Sequence, residues 1–400
     1  MANKYSSGTA VLAFSGGLDT CFCAAWLKEK GYGVAAVTVD TGGFVAGELE
    51  KIKERALAAG AAEHVTLDGR DKVFSRFVAY LIKGNVLRGR VYPLSVSAER
   101  VVQAELVAAF ARKAGAQAVA HGSTAAGNDQ FRFDGVFQAL CPDLQVLAPI
   151  RELGWTRAQE TAYLKERGLE IPAKTAAYSV NAGLWGVTVG GKETHDPWAE
   201  VPESAYPEPT EKAVDPVSIA IGFERGLPVS LNGEAMGGVR LVEKLNALGR
   251  SYGLGRGIHL GDTVLGIKGR IAFEAPAPVL LIAAHRELEK LTLTRWQQFW
   301  KDHMAEFYGQ LLHEGLPFEP AMRDIEAMMD SSQEAVTGDA RLKLSPGHFE
   351  VTGVRSPNGL MESRAAYGET TSLWSAQDAA GFARIHALPM VLANARRGEE

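Results

Sequence analysis

The sequence has few cysteines, no long apolar run and no excess of positive charge. Its three cysteines, Cys21, Cys23 and Cys141, are too few, and odd in number, for the disulfide framework of a small secreted domain. The longest apolar stretch, Ala275–Ala284, contains two prolines and is far shorter than a membrane span. Lys and Arg number 42 against 47 Asp and Glu, a net charge of −5, which disfavours sequence-independent nucleic-acid binding. We therefore expect a cytoplasmic protein without a membrane or nucleic-acid partner.

The composition is otherwise that of a globular protein. Hydrophobic residues make up 46% and charged residues 22% of the chain, which excludes disorder over most of its length. At about 150 residues per domain, 400 residues correspond to two or three domains. Glycine is the outlier, since 43 glycines are about 11% of the chain and about 7% is usual. They follow no repeat, which excludes collagen-like and linker sequences.

Short apolar runs and helical patterns alternate over residues 1–172. After the first run, Leu18, Phe22 and Trp26 recur at helical spacing. The predicted strands are Ala10–Phe14, Val34–Val39, His64–Leu67, Gln117–His121 and Gln145–Ile150. The further predicted helices are Glu48–Ala59, Ala98–Ala114 and Thr156–Arg167. This alternation predicts a doubly wound α/β domain, in which helices cover both faces of a parallel sheet.

The pattern changes after residue 172. Val217–Glu224 and Leu227–Leu231 predict an antiparallel pair, and Arg341–Leu344 and Phe349–Val354 predict a hairpin around Ser345–His348. The other predicted elements are a helix at Leu241–Leu248, a strand-like stretch at Ile258–Phe273, a helical stretch at Pro278–His313 with a break near Thr292–Thr294, and a helix at Ala376–Ala387. We expect an α+β domain over residues 173–370 and a C-terminal helical arm over residues 371–400.

The motif Ser15–Thr20 (SGGLDT) lies between a predicted strand and a predicted helix. Its two glycines allow the backbone to turn tightly and to approach a ligand. Backbone N–H groups at a helix start, together with the helix dipole, attract an anion. The hydroxyl groups of Ser15 and Thr20 add donors, and Asp19 can hold a magnesium ion or cap the helix. The pattern indicates a phosphate site at the carboxyl edge of the sheet.

Two other motifs are incomplete. Gly186–Lys192 matches most of a P-loop, but Glu193 follows where a hydroxyl group should bind magnesium. Ala13–Gly17 resembles a nucleophile elbow with Ser15 as nucleophile, but alanine replaces the first glycine and no histidine is singled out as a partner. Both interpretations are disfavoured.

A second polar motif, His121–Arg132, follows another predicted strand. It brings hydroxyl, amide, carboxylate and guanidinium groups into one short loop, which suits a zwitterionic amino acid. Arg132 can bind a carboxylate through two parallel hydrogen bonds, and Asp129 can face an ammonium group. The alternative is a polar loop whose side chains only bind one another.

The hexapeptide resembles the pyrophosphate-binding loop of the N-type ATP pyrophosphatases, and the two loops together resemble the argininosuccinate synthase family. That family carries HGxTxxGNDQxRF, and every fixed position is present from His121 to Phe133. The resemblance extends over nearly the whole chain, and its further matches are Tyr92 and Ser97, Tyr178-Ser179, Asp196–Trp198, Thr337-Gly338 and Arg341–Leu344.

The resemblance implies a nucleotide-binding domain, a synthetase domain and an arm that joins a homotetramer. It implies ligation of citrulline and aspartate with Mg-ATP through a citrullyl-adenylate, without a tightly bound organic cofactor or a resident metal site. The implied catalytic residues are Ser15, Asp19 and Asp129. The implied ATP contacts are Ala13, Phe14, Ser15, Gly16, Gly17, Leu18, Asp19, Thr20, Cys21, Val39 and Gly122. The implied aspartate contacts are Thr124, Asn128 and Asp129. The implied citrulline contacts are Tyr92, Ser97, Asn128, Arg132, Ser179 and Thr188.

The chain departs from the family pattern on the citrulline side. The better-known members carry an acidic and an amide residue where this chain has Asn181 and Gly183, and a serine where it has Thr188. A glutamate and a tyrosine that hold the amino-acid end of citrulline align with Gly261 and Phe273. These changes affect the citrulline assignment and leave the ATP and aspartate assignments intact.

Asp262, beside Gly261, is a candidate to replace the missing glutamate. Two alternative functions stay open. One is another ATP pyrophosphatase with a different acceptor, and the other is a non-catalytic sensor of amino acids or nucleotides on the same fold.

Overall fold

The structure is a computed structural model that describes residues 8–169, 178–207, 215–365 and 367–397. The predicted boundary between residues 172 and 173 therefore lies outside the described residues. Contacts divide the chain into two units, Met1–Asn358 and Gly359–Glu400. The division into residues 1–172, 173–370 and 371–400 stays a prediction.

The strands and helices are numbered along the chain. The strands are β1 (Thr9–Ala13), β2 (Gly33–Asp40), β3 (Glu63–Asp68), β4 (Ala118–Ala120), β5 (Gln145–Leu147), β6 (Ser179–Gly183), β7 (Gly186–Gly190), β8 (Val217–Glu224), β9 (Leu227–Leu231), β10 (Glu234–Ala235), β11 (Arg256–Asp262), β12 (Lys268–Glu274), β13 (Gly338–Ser345) and β14 (His348–Arg355). The helices are α1 (Leu18–Glu29), α2 (Glu48–Ala58), α3 (Arg70–Val73), α4 (Ala79–Lys83), α5 (Ser97–Lys113), α6 (Asp129–Leu140), α7 (Pro149–Leu153), α8 (Arg157–Lys165), α9 (Gly238–Ser251), α10 (Pro276–Thr292), α11 (Arg295–Glu314), α12 (Pro320–Gln333) and α13 (Ala376–Arg397).

The first five strands form a parallel sheet in the order β3-β2-β1-β4-β5. Its central strand is buried on both faces because its residues are apolar on both sides of the pleat. Ala10 and Leu12 pack into one core with α1, and Val11 and Ala13 pack into another with α5. Burying each large aliphatic side chain contributes about 1.5–3 kcal/mol. The predicted doubly wound α/β domain is confirmed.

One predicted strand is too long. Gln145–Ile150 was expected to be extended throughout, but β5 ends at Leu147. Pro149 occupies the first turn of α7, where its fixed φ and missing N–H group favour a helix start. The apolar run therefore passes from strand to helix at Ala148.

Two antiparallel sheets follow, in the orders β11-β12-β7-β6 and β10-β9-β8-β13-β14. The predicted pair β8–β9 and the hairpin β13–β14 are both present. The stretch Ile258–Phe273 contains the two strands of one hairpin, β11 and β12. The resulting α+β part is consistent with the predicted fold class.

The predicted break near Thr292–Thr294 separates α10 from α11. Thr294 caps α11, since its hydroxyl oxygen accepts a hydrogen bond from Gln297 N at 3.4 Å and the Gln297 side chain accepts one from Thr294 N at 3.0 Å. The break is therefore encoded locally.

The second unit contains α13. Ser375 and Asp378 form a capping box at the start of this helix, because each side chain accepts a hydrogen bond from the other's backbone N–H. The helix continues past the predicted end at Ala387 and includes Pro389. In the described part of the chain, no helix is both long enough and apolar enough to cross a bilayer.

Candidate functional site

The loop between β1 and α1 presents its backbone. Gly16 has a φ of 75°, in the left-handed region that favours glycine. Ser15 Oγ lies 3.3 Å from Thr20 Oγ1 and accepts a long hydrogen bond from Gly17 N at 3.5 Å. Arg55 Nη1 donates to Gly16 O at 2.6 Å, which holds the loop from α2. These contacts fix the turn that begins α1.

The first turn of α1 is suited to an anion. Gly17 is the N-cap and provides no side chain to satisfy the N–H groups of the following residues. Those groups, and the positive end of the helix dipole, face outward from the carboxyl edge of the sheet. This geometry fits the predicted binding of a phosphate chain.

Some predicted ATP contacts have buried side chains. Ala13, Phe14, Leu18 and Cys21 lie in the protein core, so contacts with a ligand would come from their backbone atoms. Burial raises the pKa of the Cys21 thiol to about 12, which keeps the thiol protonated at neutral pH. Cys21 is therefore not a reactive thiolate.

Asp19 lies in the first turn of α1 beside a second carboxyl group. Its Oδ1 is buried, and so is Oε2 of Glu160 on α8, and neither atom has a hydrogen-bond donor among the described residues. Two ionised carboxylates are acceptors only, so the pair is satisfied when one of them carries a proton. Burial, and then the charge of Asp19, raise the pKa of Glu160 above its ordinary value. Glu160 was not predicted from the sequence.

The end of β2 closes the same side of the site. Val39 is buried, and Asp40 Oδ1 accepts a hydrogen bond from Gly42 N at 2.8 Å. Gly42 and Gly43 both have a φ of 91°. A Cβ on Gly42 would lie 2.8 Å from Leu184 N, and one on Gly43 would lie 2.7 Å from the carbonyl carbon of Ala182. We call this backbone contact between residues 42–43 and 182–184 the glycine junction.

The second polar loop meets the first at the topological switch of the sheet. β1 lies between β2 and β4, so the chain leaves the carboxyl ends of β1 and β4 in opposite directions. A Cβ on Gly122 would lie 3.3 Å from Thr20 Cγ2 and 3.4 Å from the carbonyl carbon of Asp19. The two sequence motifs thus line one crevice, where ligands bind in folds of this type.

His121 anchors the second loop from beneath. Its Nδ1 accepts a hydrogen bond from Ser123 N at 3.1 Å, which leaves Nε2 to donate to Asp134 Oδ1 at 2.8 Å. Arg151 Nη1 holds the other oxygen of Asp134 at 2.5 Å. The ring is buried and stacks on Phe133, with ring centroids 5.5 Å apart. His121 therefore shapes the loop from within the core.

Asp129 is held between two guanidinium groups. Arg100 Nε donates to Asp129 Oδ2 at 3.0 Å, and Arg132 Nη1 donates to Oδ1 at 2.7 Å. Burial acts to raise the pKa of Asp129, but Arg100 and Arg132 outweigh it and hold the pKa below its usual range. Asp129 is a carboxylate at neutral pH and can also bind an ammonium group.

Arg132 is engaged more fully than the sequence suggested. Its Nη1 binds Asp129, and its Nη2 donates to His313 O at 2.9 Å. Only Nε, which is buried, lacks a partner among the described residues. Arg132 could bind a substrate carboxylate through two parallel hydrogen bonds only if it gave up its present hydrogen bonds to Asp129 and His313 O. As described, Arg132 positions Asp129, and its role as a citrulline contact stays a prediction.

The rest of the second loop lies near the crevice mouth. Thr124 is exposed, and Asn128 Oδ1 accepts a hydrogen bond from Val264 N at 2.9 Å. Val264 follows β11, so Asn128 ties the loop to the hairpin that carries Gly261. This contact brings the predicted aspartate and citrulline regions together.

Two of the predicted citrulline contacts, Tyr92 and Thr188, lie at β6, β7 and β12. Thr188 lies between Asn181 and Phe273 in register, and its buried Oγ1 has no hydrogen-bond partner among the described residues. Tyr92 packs on Phe273 with ring centroids 5.4 Å apart. We call Asn181, Thr188, Phe273 and Tyr92 the β6–β7–β12 face. Ser97 is buried at the start of α5, and Ser179 is exposed at the start of β6.

Arg100 joins this face to the second loop. It binds Asp129 and also donates from Nη2 to Asn181 Oδ1. It was not predicted from the sequence, although its position three residues after Ser97 on a helix was a usable signal.

The position left by the missing glutamate is filled by a histidine. A Cβ on Gly261 would lie 2.5 Å from His259 Nε2, and the His259 ring stacks on Tyr92 with centroids 5.6 Å apart. The exposed carboxylate of Asp262 pairs with Lys268 at 2.7 Å, and its role in place of the glutamate stays a prediction. The place of the His259 ring beside Gly261 and Tyr92 was not predicted from the sequence.

The two incomplete motifs have other structures. Gly186–Gly190 is strand β7, and a Cβ on Gly186 would lie 2.8 Å from Ala275 Cβ, so the segment is packed and not a phosphate loop. The hydroxyl of Ser15 contacts Thr20 and Gly17, as described above. Neither a P-loop nor a nucleophile elbow is formed.

Comparison with known proteins agrees with this geometry. Residues 9–170 match the family model for the arginosuccinate synthase N-terminal HUP domain, and residues 178–393 match that for the arginosuccinate synthase C-terminal domain. The chain belongs to the argininosuccinate synthase family. Argininosuccinate synthase of Xanthomonas campestris is 40% identical over 97% of this chain and 98% of that protein. That of Methanocaldococcus jannaschii is 37% identical over the same shares, 97% and 98%. The argininosuccinate synthase of Geobacillus kaustophilus is 39% identical over 95% and 94%.

Family membership confirms the resemblance found in the sequence. It indicates which class of reaction takes place in the crevice between the two loops. The roles of individual residues still rest on the geometry described above.

Proposed function

We propose that this chain joins citrulline and aspartate to argininosuccinate at the expense of ATP. The observation that carries the proposal is the meeting of the phosphate loop and the His121–Arg132 loop at the switch point of the sheet. Family membership supports the ligation, and an argininosuccinate synthase is an enzyme of arginine biosynthesis.

The reaction divides into two displacements. The ureido oxygen of citrulline attacks the α-phosphorus of ATP, and the bond to the pyrophosphate leaving group breaks. The aspartate amine then attacks the ureido carbon of the citrullyl-adenylate, loses a proton and displaces AMP. No covalent bond to the protein is needed, so the work of the chain is positioning and charge stabilisation.

The phosphate end of ATP fits the start of α1. Backbone N–H groups after Gly17, with Ser15 and Thr20, would hold the pyrophosphate part. Mg²⁺ would enter as part of the Mg-ATP substrate, because magnesium is usually bound by phosphates and few protein carboxylates. Asp19, in the first turn of α1, is the nearby carboxyl group that fits it. No tightly bound organic cofactor is part of the proposal.

The amino-acid substrates fit the polar side of the crevice. Asp129, with Thr124 and Asn128, would bind aspartate. The face of Tyr92 and Thr188, with Ser97, Asn128, Arg132 and Ser179, would bind citrulline. The buried hydroxyl of Thr188, which has no hydrogen-bond partner among the described residues, supports this assignment, since a buried polar group without a partner is costly unless a ligand satisfies it.

We also propose a cytoplasmic homotetramer that binds neither nucleic acid nor membranes. Trp296, Phe299 and Trp300 on α11 are largely exposed, as are apolar residues of α13 such as Phe382. Large exposed apolar groups are typical of subunit contacts. Light scattering on the purified protein tests the tetramer, and a monomer at micromolar concentration would contradict it.

A product assay tests the activity. The protein is incubated with Mg-ATP, citrulline and aspartate, and argininosuccinate, AMP and pyrophosphate are measured by mass spectrometry. We expect the three products in equal amounts. Pyrophosphate without argininosuccinate would indicate another acceptor, and ATP binding without turnover would indicate a sensor.

A further inference from the structure

Glu99 is a buried carboxyl group at the edge of the citrulline region. It lies on α5, two residues after Ser97 and next to Arg100, and its exposed fraction is 1%. One carboxyl oxygen accepts a hydrogen bond from Trp185 N at 3.2 Å. Trp185 follows β6 directly through Leu184. The carboxyl group therefore binds the turn that joins β6 to β7.

Gly183 leaves room for this carboxyl group. A Cβ on Gly183 would lie 2.1 Å from Cδ, from Oε1 and from Oε2 of Glu99. The Glu99 carboxyl group thus occupies the space that a side chain at position 183 would fill. Gly183 is not among the residues with positive φ, so its backbone conformation admits other residues, and the nearest atoms in the way of a side chain are those of Glu99.

The pair lies against groups already placed at the site. Gly183 is two residues after Asn181 on the same strand, so both project from one side of the sheet. Arg100, the neighbour of Glu99 on α5, donates to Asn181 and to Asp129. Gly183 also belongs to the glycine junction. A shift of Glu99 would therefore move the citrulline side of the site.

We propose that Glu99 is a positioning residue for citrulline, which supplies from α5 the neutral donor and acceptor group that a carboxamide at position 183 would supply. This inference rests on the proposed ligation of citrulline. It accounts for the glycine at position 183, where better-known family members carry an amide residue. A protonated carboxyl group has the same pair of functions as a carboxamide, one donor and one acceptor.

The surroundings favour the neutral form of Glu99. Burial raises the pKa of Glu99 to about 8, against the opposing effects of Trp185 N and of the Arg100 charge. Tyr92 is a further titratable group near Glu99, and its pKa is raised by burial and, to a smaller extent, by the Glu99 charge. At neutral pH Glu99 can accept from Trp185 N and donate from its second oxygen.

Four variants test the pair: Glu99→Ala, Glu99→Gln, Gly183→Asn and the double variant Glu99→Ala/Gly183→Asn. We expect Glu99→Ala to raise the citrulline KM about tenfold, the loss expected for one buried hydrogen-bonded group, with the ATP KM unchanged. Glu99→Gln keeps both functions and should stay within about twofold of the parent. Gly183→Asn alone should raise the citrulline KM the most of the four variants. The double variant should bring the citrulline KM most of the way back to that of the parent. The matched control is Gly353→Asn on β14, where a Cβ would meet nothing within 4 Å.

The pH profile separates this role from a merely structural one. The parent kcat/KM for citrulline should fall as the pH rises through about 8, because Glu99 loses its proton. Glu99→Gln should lack that fall, since a carboxamide does not titrate. Thermal unfolding of each variant shows whether a loss of activity reflects a loss of folding.

Three outcomes would overturn the inference while leaving the ligase intact. They are an unchanged citrulline KM in Glu99→Ala, a fully active Gly183→Asn, and an equal rise of all three substrate KM values. A parent protein that makes no argininosuccinate would instead refute the proposed function, before any variant is compared.

Discussion

The phosphate loop and the β6–β7–β12 face recognise ligands through different parts of the chain. The loop offers backbone N–H groups at a helix start, fixed by Gly16 and Arg55, and its side chains add little more than two hydroxyl groups. The face offers side chains from distant segments, among them Tyr92, Thr188 and Phe273. A backbone site tolerates few substitutions, whereas a side-chain site can keep its volume when two positions exchange large and small residues. At Gly183 and Gly261, the space of a side chain is taken by Glu99 and His259 respectively.

The largest expected effect concerns the charge cluster that joins the two regions. Arg132→Ala should lower the free energy of unfolding by about 3 kcal/mol, because it leaves Asp129 with one guanidinium partner and removes a bond to His313 O. Urea denaturation at pH 7 measures the change. The matched control is Arg112→Ala, which breaks an exposed pair with Asp143 at the same distance, 2.7 Å. Exposed pairs contribute about 0–1 kcal/mol, so equal losses in the two variants would contradict the prediction.

ATP binding by the phosphate loop should be sensitive to a change in backbone conformation. Gly16→Ala places a Cβ at a φ of 75° and 2.9 Å from Ile52 Cγ1. We expect kcat/KM for ATP to fall about a hundredfold, as for a small misplacement of a binding group, while the citrulline KM stays within about twofold. Initial rates with each substrate varied in turn measure both constants. Gly33→Ala on β2, where a Cβ meets nothing within 4 Å, should behave as the parent.

In the β6–β7–β12 face, citrulline binding should depend on Gly261 and His259 together. Gly261→Ala places a Cβ 2.5 Å from His259 Nε2, so we expect the ring to shift on Tyr92 and the citrulline KM to rise about fivefold. Shortening the histidine in His259→Ala/Gly261→Ala should remove the clash, and the citrulline KM should then match that of His259→Ala alone. A Gly261→Ala protein with the parent's citrulline KM would show that the ring position is unimportant.

The smallest expected effect is a pH dependence of stability. The pKa of Glu160 is raised from 4.5 to about 8 in the folded chain, so the folded state binds the extra proton. Its stabilisation is complete below 4.5 and is lost as the pH rises toward 8. Glu160→Gln should reduce the loss of unfolding free energy over that pH interval by on the order of 1 kcal/mol. Unfolding curves between these pH values measure the change, and an unchanged pH dependence in the variant would contradict the raised pKa of Glu160.

The parallel-sheet domain was predictable because its signals are local. Ala10–Phe14 and Val34–Val39 are apolar runs between helical patterns, and β1 and β2 occupy those positions. The phosphate loop was predictable for the same reason, since a strand, two glycines and a helix follow one another within a few residues. The misjudged end of β5 shows the limit, because an apolar run does not reveal where a strand becomes a helix.

The citrulline side was less predictable because its partners are distant in sequence. Arg100 and Asn181 are separated by 81 residues, and the hydrogen bond between their side chains follows from the fold alone. The fit of Glu99 onto Gly183 carries no local signal either. Asp262 was the nearest acidic residue to Gly261, and its neighbour across the hairpin, Lys268, binds it.

The glycine junction has a consequence for how this enzyme can diverge. Backbone lies directly on backbone between Gly42–Gly43 and Ala182–Leu184, and Leu184 N donates to Thr41 O at 2.8 Å. No single substitution can adjust such a contact gradually, because the smallest added side chain already collides with main-chain atoms. Insertions or deletions on either side would displace the nucleotide and acceptor regions together. Laboratory evolution toward a new acceptor should therefore leave these two segments at their present length and accumulate changes in the side chains around them.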